Sequence, residues 1–159
     1  MTRWTSLLRW PLALVAALAL LAGCATLDQK QREWIFQPNQ NAWSTSRAEG
    51  MEDVWITHRS QESGRDVTLH ALWLPHPKAD APVLLYLHGA RRNIWGSTFR
   101  MRNMQELGFA VLAVDYRGFG QSTAELPSED SVLEDARAAW GWIAREHPGR
   151  QRYIFGHSL

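Results

Sequence analysis

The chain has 159 residues, 45% hydrophobic and 21% charged, with a formal net charge of +1, a composition that excludes a disordered polyelectrolyte and suits one globular domain. A near-neutral balance gives no basis for nucleic-acid binding. One cysteine, Cys24, excludes an intramolecular disulfide, and the six histidines form no Cys/His framework for zinc, so neither a metal nor another cofactor is expected.

In chain order, Arg3 and Arg9 precede an apolar run from Pro11 to Ala22, too short for a comfortable membrane span and laid out like an export signal. The run ends in Leu21-Ala22-Gly23-Cys24, which resembles the lipobox of bacterial lipoproteins. That resemblance implies cleavage before Cys24 and lipidation of its thiol, making residues 1–23 a signal peptide and Cys24 a membrane anchor; the plainer reading is an ordinary signal or uncleaved anchor with an incidental cysteine. Removing residues 1–23 leaves 15 basic against 16 acidic residues, a net charge of −1. Ala25 after the lipid cysteine leans towards the outer membrane, periplasmic face, of a Gram-negative source. Residues 24–52, rich in Gln, Asn, Ser and Thr around Trp34-Ile35-Phe36, read as a lipidated tether followed by a docking segment.

The domain is expected over 53–159. Val54–His58 and Val67–Leu74 are strand-like and joined by a turn with Gly64 at its centre, which reads as a hairpin. Val83–Leu87 and Phe109–Val114 are continuous apolar runs of the kind that form strands covered on both faces. Between them, Trp95, Phe99, Met104 and Leu107 predict a helix stopped by Gly108. Ser128 caps a second predicted helix, whose apolar stripe runs through Val132, Leu133, Ala136, Ala139, Trp140 and Ile143 before Pro148-Gly149. Tyr153–Phe155 is a third buried strand feeding Gly156-His157-Ser158-Leu159. A hairpin followed by alternating strands and helices is an α/β domain with a mostly parallel sheet.

Gly156-His157-Ser158-Leu159 supplies the first four positions of G-x-S-x-G, in which a tight strand-to-helix turn exposes a nucleophilic serine. Together with Leu84-Leu85-Tyr86-Leu87-His88-Gly89 and Asp115-Tyr116-Arg117-Gly118-Phe119-Gly120-Gln121-Ser122, it resembles the α/β hydrolases, and more narrowly their serine aminopeptidase and monoglyceride lipase-like group. The resemblance covers Asp53 to Leu159 and implies the N-terminal part of an α/β-hydrolase fold. Ser158 matches the nucleophile, and the backbone N–H groups of Ala90 and Leu159 match the two oxyanion donors. It also implies that the triad acid and histidine follow the serine in chain order. Asp115 is therefore expected to fix a loop, and His88 and His157 to be structural; His58, His70, His76 and His147 offer no persuasive base.

Arg91 and Arg92, after His88-Gly89, read either as contacts to an anionic substrate group or as solvated charge. Of the nine tryptophans, only Trp95 near the oxyanion loop is a candidate pocket wall. The expected activity is cleavage of an ester, thioester or amide of a small acyl substrate through an acyl-serine, in an enzyme held on a membrane by Cys24. With no acid or base after the serine, this polypeptide alone is expected to be inactive, and Tyr153–Phe155 to be an exposed apolar edge. The alternative is a noncatalytic lipoprotein remnant or interaction protein.

Overall fold

The computed structural model describes residues 4–40 and 48–158, so Arg3 of the export-signal reading lies outside the described residues. The chain divides into two compact units, Met1–Ile35 and Phe36–Leu159. The first is built on helix α1 (Trp4–Phe36), of which Ala13–Phe36 is long and apolar enough to cross a membrane. Such a helix has the makings of a signal or an anchor. The helix runs on beyond the apolar run Pro11–Ala22 and past Cys24 for about three more turns. Ala25, Leu27, Gln29, Lys30, Gln31, Arg32 and Glu33 are mostly strong helix formers, and Glu33 accepts hydrogen bonds from Gln29 at 2.9 Å and Lys30 at 2.7 Å along one face. It ends where Gln37 takes a left-handed backbone (φ 44°) and Pro38 follows.

The second unit holds the sheet. Strands β1 (Glu52–Arg59) and β2 (Asp66–Leu74) form the expected antiparallel hairpin, with Glu52 opposite Trp73 and Arg59 opposite Asp66. Strands β3 (Val83–Leu87), β4 (Ala110–Val114) and β5 (Arg152–Gly156) complete the order β1-β2-β4-β3-β5, with β2 antiparallel to β4 and β3 parallel to both β4 and β5. A 3₁₀ turn (Ile94–Ser97) and helix α2 (Thr98–Glu106) link β3 to β4, and helix α3 (Glu129–Glu146) links β4 to β5.

Both faces of the sheet are covered, which explains the unbroken apolar runs. Val83, Leu85, Ala110 and Leu112 pack with Ala139 and Ile143 of α3; the alternate residues Leu84, Tyr86, Val111 and Ala113 pack with Ile94, Trp95 and Met101. Two expectations about burial fail. Phe99 and Leu107 are exposed, because the 3₁₀ turn delays the helix and the row facing the sheet is Trp95, Thr98 and Met101, spaced by three. Leu133 is exposed while Asp135 occupies the buried face of α3. Tyr153 and Ile154 are not buried as in a strand covered on both faces but are exposed, as expected of this polypeptide alone: β5 pairs with β3 alone and forms the exposed apolar edge. The start of α3 follows its sequence signal, since Ser128 accepts from the Ser131 N–H at 3.0 Å and the Ser131 hydroxyl accepts from the Ser128 N–H at 2.8 Å.

Asp135 faces inward because Arg117, from the loop after β4, is wholly buried beside it. The Arg117 guanidinium donates to Asp135 Oδ1 at 2.7 Å, Glu134 Oε2 at 3.0 Å and Ser60 Oγ at 3.0 Å, while its backbone N–H donates to Asp135 Oδ2 at 2.8 Å. One cation thereby joins α3, the β1–β2 turn and the loop after β4. Removing one partner of a buried pair leaves an uncompensated charge, so Asp135→Ala is expected to cost about 3–5 kcal/mol. Urea denaturation of the complete protein checks this; a loss below about 1 kcal/mol, the surface-pair range, would contradict it.

Candidate active site

The parallel pairing of β3 and β5 sets the site. Leu87 lies opposite Gly156, so the turns that leave both strands start side by side at one end of the sheet, where open α/β sheets bind ligands. The His157 N–H donates to the Leu87 carbonyl at 3.0 Å, extending the pairing one residue past β5. Ser158 follows, exposed and with φ of 58°, a left-handed conformation that a non-glycine residue adopts only when its surroundings impose it. Gly89 presses against it: a Cβ there would sit 2.6 Å from the His157 carbonyl oxygen and 2.9 Å from that of Ser158. Only glycine fits this approach.

After Gly89 the chain turns through Ala90 and Arg91, the latter also left-handed at φ 69°. Among the described residues nothing accepts a hydrogen bond from the Ala90 N–H, whereas the Arg91 N–H is taken by the Phe36 carbonyl at 3.0 Å. Leu159, the other expected donor, lies outside the described residues. Arg91 and Arg92 are exposed next to Ala90. Trp95 is 5% exposed and packs in the core, 5.8 Å from the His70 ring centroid, a position that gives it packing work and little open surface.

The loop's far end is tied by Asp115, which lies just past β4 and is fully buried. Its Oδ1 accepts from the Ile94 N–H at 2.8 Å and lies 3.3 Å from His88 Nε2, off the hydrogen-bonding direction; its Oδ2 lies 3.9 Å from His70 Nδ1, an ion-pair distance. Gly120 closes over the carboxylate, since a Cβ there would fall on Asp115 Oδ2. His88 in turn donates through Nδ1 to the Gly89 carbonyl at 2.8 Å. Asp115 thus fixes the loop, as the sequence reading expects, by gripping both its strand end and its exit. Burial pushes the Asp115 carboxyl up, but His70, His88 and the Ile94 N–H more than offset this and hold it below the ordinary aspartate range.

His70 is the residue that sequence reasoning passes over. It is buried on β2 between the rings of Trp55 and Trp95, with Nε2 2.7 Å from Asp53 Oδ1 on β1. A lone imidazole at the centre of the mostly apolar run Val67–Leu74 is the signal that marks it. Asp53, His70, Asp115 and His88 form a chain of polar groups from the surface to the loop after β3. No described histidine hydrogen-bonds Ser158: the partners of His58, His70, His76 and His88 are all elsewhere.

Solved structures share this frame. The Pyrococcus furiosus esterase Pf2001 superposes with a TM-score of 0.59 at 21% identity, over 75% of this chain and 45% of that one. An α/β hydrolase from Vibrio vulnificus gives 0.61 at 18%, over 80% and 46%. The sheet order, the crossovers and the meeting of the two turns are those of the α/β-hydrolase fold. Residues 77–159 match the hydrolase family described as serine aminopeptidase, S33, and the chain belongs to that family. Curated relatives include lysophosphatidylserine lipase ABHD12 of Danio rerio, 38% identical over 81 residues, 49% of this chain and 21% of its own length. Protein ABHD12B of Homo sapiens is 36% identical over 81 residues, 49% and 22%. The match spans about a fifth of these relatives.

Burial alone would lower the His70 pKa, but the carboxylates of Asp115 and Asp53 outweigh it and raise it above its ordinary 6.5. A raised folded value means that the stabilisation is complete below pH 6.5 and lost as the pH climbs through that folded value. The melting-temperature gap between wild type and His70→Asn is therefore expected to be widest below pH 6.5 and to narrow above it. A gap that widens with rising pH would contradict the pairing.

Proposed function

We propose that this chain carries the nucleophile and the oxyanion loop of a membrane-anchored serine hydrolase. The observation that carries the reading is the left-handed Ser158 at the end of β5, exposed and seated against Gly89. Strain held at an exposed serine between a parallel strand and a glycine turn is what a nucleophile elbow requires.

In this reading Ser158 Oγ forms a bond to the substrate carbonyl carbon while its proton passes to a general base, the histidine that the resemblance places after the serine. The carbonyl oxygen gains charge and is met by the N–H groups of Ala90 and Leu159, which stabilise it more than they stabilise the neutral carbonyl. The tetrahedral intermediate collapses, the bond to the leaving alcohol, thiol or amine breaks, and the base returns the proton to that group. Water then attacks the acyl-serine by the same route, releasing the acid and restoring Ser158. No metal or organic cofactor enters this scheme.

An acyl ester with an anionic headgroup is the favoured substrate. Arg91 and Arg92 stand exposed beside Ala90 and would pair with a phosphate or carboxylate; relatives named lysophosphatidylserine lipases support the same direction. We further propose that the protein is exported and held by lipidated Cys24, whose thiol is free and exposed, on the periplasmic face of the outer membrane if the source is Gram-negative. More than one acyl chain gives the stable attachment that a single chain does not.

In the complete protein, Ser158→Ala is expected to lower ester hydrolysis by roughly a thousandfold or more; activity within tenfold of wild type removes Ser158 from the reaction and favours a noncatalytic binding role. Replacing both arginines (Arg91→Ala, Arg92→Ala) should raise KM for anionic esters and leave neutral esters unchanged. Equal effects on both would sink the headgroup assignment.

A further inference from the structure

The oxyanion loop is held from its outer side by a segment that lies far from it in sequence. Phe36 is 8% exposed and packs with Tyr116, Phe119 and Val132, the first two from the loop that follows β4. Its carbonyl accepts the Arg91 N–H at 3.0 Å. Three residues on, the Asn39 carbonyl accepts the Gly120 N–H at 2.9 Å, and Asn39 Nδ2 reaches the Arg91 carbonyl at 3.4 Å. Residues 36–39 therefore bridge the two loops that frame the site, Ala90–Asn93 on one side and the glycine that closes over Asp115 on the other.

Arg91 needs that support. An L residue at φ 69° is disfavoured unless neighbours impose the conformation, and both main-chain polar groups of Arg91 are engaged by this one segment. The adjacent Ala90 N–H has no acceptor among the described residues, so fixing Arg91 also fixes the direction of a neighbouring donor that is open.

We propose that Phe36–Asn39 is a positioning strap for the oxyanion loop: it locks Arg91 in its left-handed turn and so keeps the Ala90 N–H aimed at the oxygen of a substrate held at Ser158. The proposal rests on the reading of Ala90 as an oxyanion donor and of Ser158 as nucleophile. Its consequence is that the end of the apolar N-terminal helix and the residues directly after it contribute to the rate of the chemical step as well as to attachment.

The test compares p-nitrophenyl acetate with its thiono analogue in the complete protein. Sulfur is larger and a weaker hydrogen-bond acceptor than oxygen, so dependence on an aimed N–H appears as a preference for the oxoester. Phe36→Ala should lower kcat for the oxoester by about ten- to a hundredfold, the cost of misplacing a donor by an ångström or less, with KM nearly unchanged. The oxo-to-thiono preference should collapse, and Phe36→Leu, which refills the pocket among Tyr116, Phe119 and Val132, should restore it. A folded Phe36→Ala protein with an unchanged preference overturns the proposal. Should that variant fail to fold, Asn39→Ala, which removes the side-chain contact to Arg91, is read on the same ratio: a lower preference supports the strap and an unchanged one overturns it. Ser158→Ala run alongside separates the two levels, because hydrolysis that survives it defeats the nucleophile assignment itself, while its loss with an intact preference in the strap variants defeats only the strap.

Discussion

A single buried carboxylate organises the functional end of this sheet. Asp115 has no exposure, and an ionised group in such a place needs compensating partners close by. The Ile94 N–H, at the exit of the loop after β3, donates to it, and imidazoles on β2 and at the end of β3 stand within ion-pair distance. Those partners belong to separate stretches of chain, so satisfying the carboxylate fixes their relative positions. Gly120 is required by the same group, since any side chain at that position would collide with it. Through His88 and the Gly89 carbonyl, this arrangement reaches the turn that faces Ser158.

Ser158 depends in turn on how closely two strand ends can approach. Parallel pairing of β3 with β5 brings their terminal turns together, and the absence of a Cβ at Gly89 lets the backbones of the two turns touch. The left-handed serine is the cost of turning sharply enough to expose its hydroxyl, and the rigid sheet beneath supplies the support. Arg91, also left-handed, is supported from the other side by Phe36 and Asn39. Buried charge within and the contacts of Phe36 and Asn39 without thus frame the two turns.

Much of this was legible in the sequence, for local reasons. The hairpin, the two central strands and the capped helix α3 announce themselves through apolar runs, Gly64 and Ser128, because each signal lies next to the structure it causes. The His88-Gly89, Asp115–Ser122 and Gly156–Ser158 segments fall at the strand ends and the loop where the resemblance puts them. What escaped the reading depends on distant partners. Asp135 looks like a surface residue of α3 until Arg117 is placed against it, and His70 looks incidental until Asp53 and Asp115 flank it. Phe99 and Leu107 read as inward-facing but are exposed, because a 3₁₀ turn shifts the phase of α2. Residues 24–52 read as a tether and docking segment by composition, and helix α1 carries through the first of them as far as Phe36. Nothing local in Phe36 or Asn39 points to a loop more than fifty residues away.

The account stands on the assignment of Ser158 as the reacting nucleophile. The most direct measurement is to treat the complete protein with a fluorophosphonate, which phosphonylates activated serines, and to locate the adduct by peptide mass spectrometry. A single adduct on Ser158, formed in step with the loss of ester hydrolysis, is the predicted result. Hydrolysis abolished by an adduct on a different residue, or persisting while Ser158 is fully modified, would contradict it.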